Sequence, residues 1–294
     1  FALTEEERVV RDTVRDWARR EVLPGAAERD EAERYDISLF HRAGELGLTG
    51  LPYPEAYGGA GMGSFAWALA AEEIGAADMG LAVSFSVHIL SQLCIFASGS
   101  EEQKQGFLPS MTAGRELGAF ALTEPGAGSD AAALSLSARR DGDAYLLTGT
   151  KIWITNAGEA ARYVVFATVD RSKGKDGITA FVVEADTPGF RLGSKERKMG
   201  IRGTTGYEIV FEDARVPADN RLGQEGEGLR ELEQAVACSD SGTLWLAQLG
   251  ALIASRLQQS VAGGVRVGDP LTEFAYDDFA AGASYYGVAD AEAL

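Results

Sequence analysis

The sequence predicts an α+β protein with several domains: a helical N-terminal domain over residues 1–115, an antiparallel β-barrel or sandwich over residues 116–225, and a partial helical bundle over residues 226–294. Up to about residue 114 the apolar residues recur with the period of a helix. From there to about residue 224 they alternate, as in strands with one buried face. Because the strands follow one another without helices between them, a parallel nucleotide-binding sheet is excluded.

Capping signals locate the helices of the first domain. Capping boxes at Thr4–Glu7 and Ser100–Gln103 predict where the first and last of these helices begin. A second helix is expected from about Asp36 until Gly47 stops it, and an alanine-rich helix over about 64–78. These elements predict an all-helical unit.

The longest apolar run, residues 81–97, predicts a buried helix rather than a membrane span. It is interrupted by polar residues and is shorter than a span needs. His88 lies within it, among Val, Ile and Leu, with no acid at a useful spacing. We therefore expect His88 to be a core or pocket-wall histidine with satisfied hydrogen bonds and not a catalytic one.

Seven strands are predicted in the middle domain, at 118–123, 134–139, 144–155, 162–169, 178–184, 189–194 and 207–212. Asp141-Gly142 marks a hairpin between two of them.

Composition narrows the classes of partner. The net charge of −17 argues against nucleic acid and anionic membranes, which would repel the chain. Cys94 and Cys238 lie far apart, so neither a disulfide framework nor a metal cluster is indicated. The first residues do not form a secretory signal, and we expect a cytoplasmic protein.

Two segments carry the candidate chemistry. Residues 120–130, Phe-Ala-Leu-Thr-Glu-Pro-Gly-Ala-Gly-Ser-Asp, run from an apolar strand into a turn whose glycines leave backbone N–H groups uncovered, which suits an anion. Residues 149–156, Gly-Thr-Lys-Ile-Trp-Ile-Thr-Asn, alternate so that Trp153 and Thr155 emerge on one face. A flat ring can pack against such a face.

In this order and spacing, the two segments resemble the flavin site of the acyl-CoA dehydrogenase family. Residues 198–203 and 209–217 also resemble family segments, so that the resemblance is continuous from residue 4 to about 240. It implies an FAD-dependent oxidoreductase that desaturates an acyl thioester between its α and β carbons. The thioester would belong to CoA or to a carrier protein, and the assembly would be a homo- or hetero-oligomer.

The resemblance also assigns site residues. Those matching the cofactor site are Phe120, Leu122, Thr123, Gly128, Ser129, Trp153, Ile154 and Thr155. Ser129 and Asp240 match positions near the thioester.

The catalytic base is where the sequence departs from the family. Members that carry the base on the first helix after the β domain have it just before an arginine, and Gly242-Thr243 stands at the matching pair. Most members carry the base as a Glu in a loop between late helices of a C-terminal four-helix bundle, and the residues after about 225 are too few to form such a bundle alone. Glu231, Glu233 and Asp240 are expected to be solvated or structural, so the base remains unassigned.

Two hypotheses of function follow from this departure, and a third possibility is that the 294 residues are only part of a longer natural chain. The first is a catalytic flavoprotein. The second is a non-catalytic or half-site subunit that completes a hetero-oligomer with a full-length relative. The missing base favours the second, whereas the intact flavin segments favour the first.

The run at residues 191–198 is the densest basic cluster of this acidic chain. It is either a patch that attracts the CoA nucleotide or a solvated turn between strands.

Overall fold

The computed structural model describes residues 3–230 and 232. The helices of the described chain are α1 Glu5–Trp17, α2 Ala26–Glu31, α3 Ile37–Glu45, α4 Gly63–Ala77, α5 Met79–Ser98 and α6 Glu101–Thr112. Its strands are β1 Gly118–Ala121, β2 Ser137–Asp141, β3 Ala144–Thr155, β4 Arg162–Thr168, β5 Ile178–Glu184, β6 Phe190–Lys195, β7 Gly206–Pro217 and β8 Arg221–Leu222. A helical domain followed by a β domain confirms the predicted fold class. The bundle predicted for 226–294 lies almost wholly outside the described residues.

The helical domain begins where the capping signals predict. Both capping boxes form, and α3 follows an N-cap at Asp36 and ends before the left-handed Gly47. The pattern did not predict α2. The chain passes from α1 through a π-helical turn and a 3₁₀ turn that contains Pro24, so the segment continues as helix instead of ending. Proline is tolerated there because it occupies the first turn, where its missing N–H has no helical partner to lose.

Helix α5 is the central helix of the first domain. By length and composition alone, its 20 residues could cross a membrane, but 61% of its most apolar 18-residue stretch is buried inside the protein. It packs against α4, α6 and β1. The expected buried helix is therefore confirmed, and the apolar run is explained by its place in the core.

The strands form one sheet in the order β6-β7-β3-β2-β4-β5-β8, with β1 pairing on β4. Most neighbours are antiparallel, as predicted, but β1 and β2 both run parallel to β4. These two parallel pairs correct the purely antiparallel expectation. The hairpin forms with Asp141 opposite Ala144, so that Gly142, with a φ of 62°, and Asp143 make the turn.

A group of hydrogen bonds among four residues connects the helical domain to the β domain. Gly118 on β1 donates its N–H to the ring of His88 on α5, at 2.9 Å. The Asn156 amide group donates to the carbonyl oxygens of Gly118 and of Ser84 on α5, both at 2.9 Å. All of these groups are buried. The end of β3 is thereby fixed to the helical domain.

Candidate cofactor site

The structure brings the two candidate segments into direct contact. The backbone N–H of Ile152 donates to the carbonyl oxygen of Thr123 at 3.0 Å. The ammonium group of Lys151 donates to the carbonyl oxygen of Leu122 at 2.8 Å. The chain that leaves β1 therefore lies along the last part of β3, as a site made from both segments requires.

A buried ion pair lies beneath this contact. Lys151 Nζ lies 2.8 Å from Glu124 Oε1, and the two side chains are 0% and 3% exposed. The same carboxylate accepts hydrogen bonds from the N–H of Leu136, at 2.9 Å, and from the N–H and hydroxyl of Ser135, at 2.6 and 2.8 Å. Both oxygens of Glu124 are thus fully used, as a buried charge demands.

The surroundings of this pair keep Glu124 ionised. Burial alone would raise the pKa of Glu124, but the Lys151 ammonium and the N–H donors outweigh it and hold that pKa below its ordinary value. Burial lowers the pKa of Lys151 to about 8, and the bond to Glu124 opposes this change. Because its carboxylate is buried and engaged, Glu124 is not available as a general base.

Trp153 projects from an irregular point of β3. Its φ is 57°, and the pairing of β3 with β7 shifts register between Lys151 and Ile154, which marks a β-bulge. The indole is 65% exposed, although tryptophan is among the largest apolar side chains. A left-handed conformation is costly for such a residue, and strain of this kind clusters at functional sites.

The bulge corrects one detail of the sequence analysis. Simple alternation would place Lys151 on the exposed face with Trp153, yet Lys151 is completely buried. The extra residue of the bulge turns Lys151 and Trp153 toward opposite faces of the strand, although they are two residues apart. Trp153 is still exposed and Ile154 still buried, at 2% exposure, so the outcome for those two residues is as predicted.

The glycine turn after β1 is open to solvent. Glu124 and Ala127 exchange backbone hydrogen bonds of 2.9 and 3.1 Å across Pro125 and Gly126. A Cβ atom added to Gly126 or Gly128 would meet no protein atom within 4 Å. Packing within the chain therefore does not explain these glycines. The open space would allow a ligand to approach the backbone closely.

The other assigned residues surround these features. Phe120 is partly buried, with its ring 5.2 Å from that of Phe166, and Ser129 is exposed on the glycine turn. The remaining partly buried positions are Leu122, Thr123 and Thr155. Ile154 has its side chain in the core of the β domain, so only its backbone could reach a ligand. Asp240, Glu231 and Glu233 lie outside the described residues.

Sequence reasoning missed two residues of the site region, Lys151 and Glu124, although both lie inside the quoted segments. A signal existed: a lysine within an apolar strand needs a partner once that strand is buried. The sequence did not predict the bulge that turns Lys151 into the protein interior. His88, in contrast, is buried with both ring nitrogens hydrogen-bonded, which confirms its expected structural role.

The basic run at 191–198 is largely engaged within the protein. Arg191 pairs with Glu212 at 2.8 Å, Lys195 donates to the carbonyl oxygen of Glu33 at 2.7 Å, and Lys198 donates to that of Thr204 at 2.6 Å. These bonds tie the segment to the end of α2 and to the loop before β7. They favour a structural role over a nucleotide patch.

Comparisons with known proteins agree with this geometry. The models of the acyl-CoA dehydrogenase N-terminal domain and middle domain match residues 4–115 and 119–214. An acyl-CoA dehydrogenase of Bacillus subtilis is 43% identical over 227 residues, which make up 77% of this chain and 60% of that relative. The chain thus spans about 60% of the length of this curated relative.

Solved structures give the same result. Butyryl-CoA dehydrogenase from Megasphaera elsdenii superposes with a TM-score of 0.83 at 37% identity, covering 95% of this chain and 75% of that one. An acyl-CoA dehydrogenase from Bacillus anthracis, solved in complex with FAD, superposes with a TM-score of 0.78 at 34% identity, covering 88% of this chain and 43% of that one. The predicted resemblance is confirmed, and the chain belongs to the acyl-CoA dehydrogenase family.

Proposed function

We propose that the chain binds FAD noncovalently on the face formed by residues 120–130 and 149–156. The observation that carries the proposal is the exposed indole of Trp153, held at a positive φ beside the partly buried Thr155. A large aromatic surface left in water at a strained position indicates a ligand that covers it.

The residues present fit that cofactor. The indole offers a flat apolar surface for a ring system, and the open glycine turn with Ser129 offers donors for phosphate oxygens. Among the described residues, the cysteine and histidine that lie closest in sequence, Cys94 and His88, are buried in α5. They are therefore not placed to form a covalent flavin link.

The proposed reaction is α,β-desaturation of an acyl thioester. FAD, when bound, supplies the acceptor for the hydride that leaves the β carbon. The chain would contribute Trp153 as a wall that excludes water, and Thr155 as a hydroxyl at the ring edge. Removal of the α proton needs a carboxylate base. Glu124 is engaged by Lys151, and no base is assigned among the described residues.

The substrate is proposed to be an acyl-CoA or an acyl group on a carrier protein, and the assembly a homo- or hetero-oligomer. The support is family membership together with the relatives named above. A cytoplasmic location is proposed because Cys94 is a buried free thiol and the apolar helix α5 belongs to the core.

Flavin occupancy tests the proposal. The protein purified with excess FAD should carry bound flavin, and a Trp153→Ala/Thr155→Ala variant should lose it. Phe65→Ala is the matched control, because it removes a 45% exposed aromatic residue from α4 in the other domain. Full flavin occupancy in the double variant would move the site elsewhere.

Anaerobic mixing with saturated acyl-CoAs then tests the reaction. Rapid bleaching of the flavin by the isolated protein supports a catalytic chain. Bleaching that requires an added full-length relative supports the half-site subunit.

A further inference from the structure

We infer that Lys151 and Glu124 are positioning residues for the cofactor. Their buried ion pair holds the glycine-turn loop and the strand bulge in the geometry that binds it, without either side chain forming part of the binding face. The inference rests on the proposed FAD binding and goes beyond it, because it assigns a role to two residues that the site itself does not use.

The first step concerns the loop at residues 125–134. Glu124 immediately precedes the loop, while Ser135 and Leu136 immediately follow it. Three donors from these two residues converge on the Glu124 carboxylate, at 2.6 to 2.9 Å. One carboxylate thus closes the loop at its base. The exposed residues that the proposal uses, Gly128 and Ser129, lie within the closed loop.

The second step concerns the strand. Lys151 lies two residues before Trp153, at the start of the bulge. Its ammonium group holds the carbonyl oxygen of Leu122 as well as Glu124, both at 2.8 Å. A left-handed Trp153 persists only if the surrounding structure determines it. Lys151 fixes the strand on one side of the bulge, and the amide of Asn156 fixes it on the other.

The third step is energetic. Both side chains are almost completely buried, so both charges have lost their hydration. A buried ion pair commonly contributes no more stability than apolar residues of the same volume, because desolvation offsets the attraction. Such a pair does add geometric specificity, because each of its hydrogen bonds holds the partner group in one position. Its position between two binding segments is therefore explained by placement of the loop and not by core stability.

The test is a paired substitution, Lys151→Met/Glu124→Gln, which leaves no lone buried charge. We expect the double variant to unfold cooperatively but with lower stability, because buried donors and the carbonyl oxygen of Leu122 lose partners. We expect at least tenfold weaker FAD binding to the apoprotein, measured by titration of flavin fluorescence. A single amide oxygen cannot accept the bonds that the two carboxylate oxygens accept, and Leu122 loses its donor. Amide hydrogen exchange over residues 125–134 of the apoprotein should become faster.

The control is Arg162→Met/Glu116→Gln, a less deeply buried ion pair of this chain, with 3.0 Å between Arg162 Nε and Glu116 Oε2. It should leave FAD affinity and exchange over 125–134 within twofold of the unsubstituted protein. Wild-type affinity and exchange in the Lys151/Glu124 double variant would overturn the inference.

Ser135→Ala provides a second, milder variant should the double variant fail to fold. It removes the hydroxyl bond to Glu124 without disturbing a charge. Weaker FAD binding with faster exchange over 125–134 supports the inference, and no change in either overturns it. If the unsubstituted protein does not bind FAD, the proposed function is wrong, and the inference about the ion pair is not thereby decided. The exchange rates of the apoprotein would still decide whether the pair orders the loop.

Discussion

The ring of His88 accepts a hydrogen bond from the backbone N–H of Gly118, with 2.9 Å between Nδ1 and N. Because Nδ1 is the acceptor, the ring proton is on Nε2, which lies 3.2 Å from the carbonyl oxygen of Met111. Burial lowers the pKa of His88 to about 3, against an ordinary value of 6.5. The imidazole is therefore a neutral link between the helical domain and the first strand.

This link predicts a pH dependence of stability. Between pH 6.5 and about 3 the unfolded chain binds a proton at His88 and the folded chain does not. The free energy of unfolding should fall as pH is lowered through this window, by about 1.4 kcal/mol per pH unit from this group. Urea unfolding from pH 7 to 4.5 should show a shallower acid limb for His88→Gln, whose amide keeps a donor and an acceptor. His41→Gln controls for loss of an imidazole elsewhere; an unchanged slope in His88→Gln would contradict the prediction.

Gly118 should tolerate no side chain. A Cβ atom there would lie 2.0 Å from Ser91 Oγ and 2.7 Å from Met111 Cε, inside the interface between the domains. Gly118→Ala should cost about 1–3 kcal/mol of unfolding free energy through overpacking. Gly106→Ala on α6 is the control, because its Cβ would meet nothing within 4 Å. It should stabilise the helix by about 0.5–1 kcal/mol, and similar losses in both variants would refute the steric argument.

Trp153 allows backbone strain to be separated from ligand binding. Since its φ of 57° suits glycine, the Trp153→Gly apoprotein should be more stable than the Trp153→Ala apoprotein by about 1 kcal/mol. Both variants should lose flavin, because both lack the indole. Thermal and urea unfolding of the two apoproteins, with flavin occupancy measured on the same samples, checks this prediction. Equal stability would show that the bulge relaxes when the indole is removed.

The basic segment should act in structure and not in nucleotide binding. Lys195→Gln/Lys198→Gln replaces two ammonium donors, which reach the carbonyl oxygens of Glu33 and Thr204, with shorter, neutral amides. We expect lower stability, together with acyl-CoA affinity within twofold of the unsubstituted protein at low salt. Calorimetric titration at two salt concentrations measures this. A large, salt-dependent loss of affinity would restore the interpretation as a nucleotide patch.

The sequence predicts the elements better than it predicts their irregularities. Periodicity and capping locate α1, α3 and α6, because these signals act within a few residues. The parallel pairing of β1 with β4 and the bulge at Trp153 depend on contacts between distant parts of the chain. An alternating apolar pattern does not show where a bulge inserts an extra residue into a strand.

The same limit applies to the candidate site. Trp153 and Thr155 could be chosen from their types and spacing. The pairing of Lys151 with Glu124 could not, since it requires knowing that the bulge turns Lys151 inward.

The junction at Gly118 limits how this chain can be recombined. The N-terminal family model ends at residue 115 and the middle-domain model begins at residue 119. At such a boundary one would expect the two domains to be interchangeable between relatives. Yet Gly118 lies between them, with its N–H bound to a helix on one side and its carbonyl oxygen bound to the end of β3 on the other. A chimera joined at this boundary therefore inherits His88 from one parent and Asn156 from the other. Only parents with the same residues at positions 88, 118 and 156 would give a hybrid that keeps these hydrogen bonds.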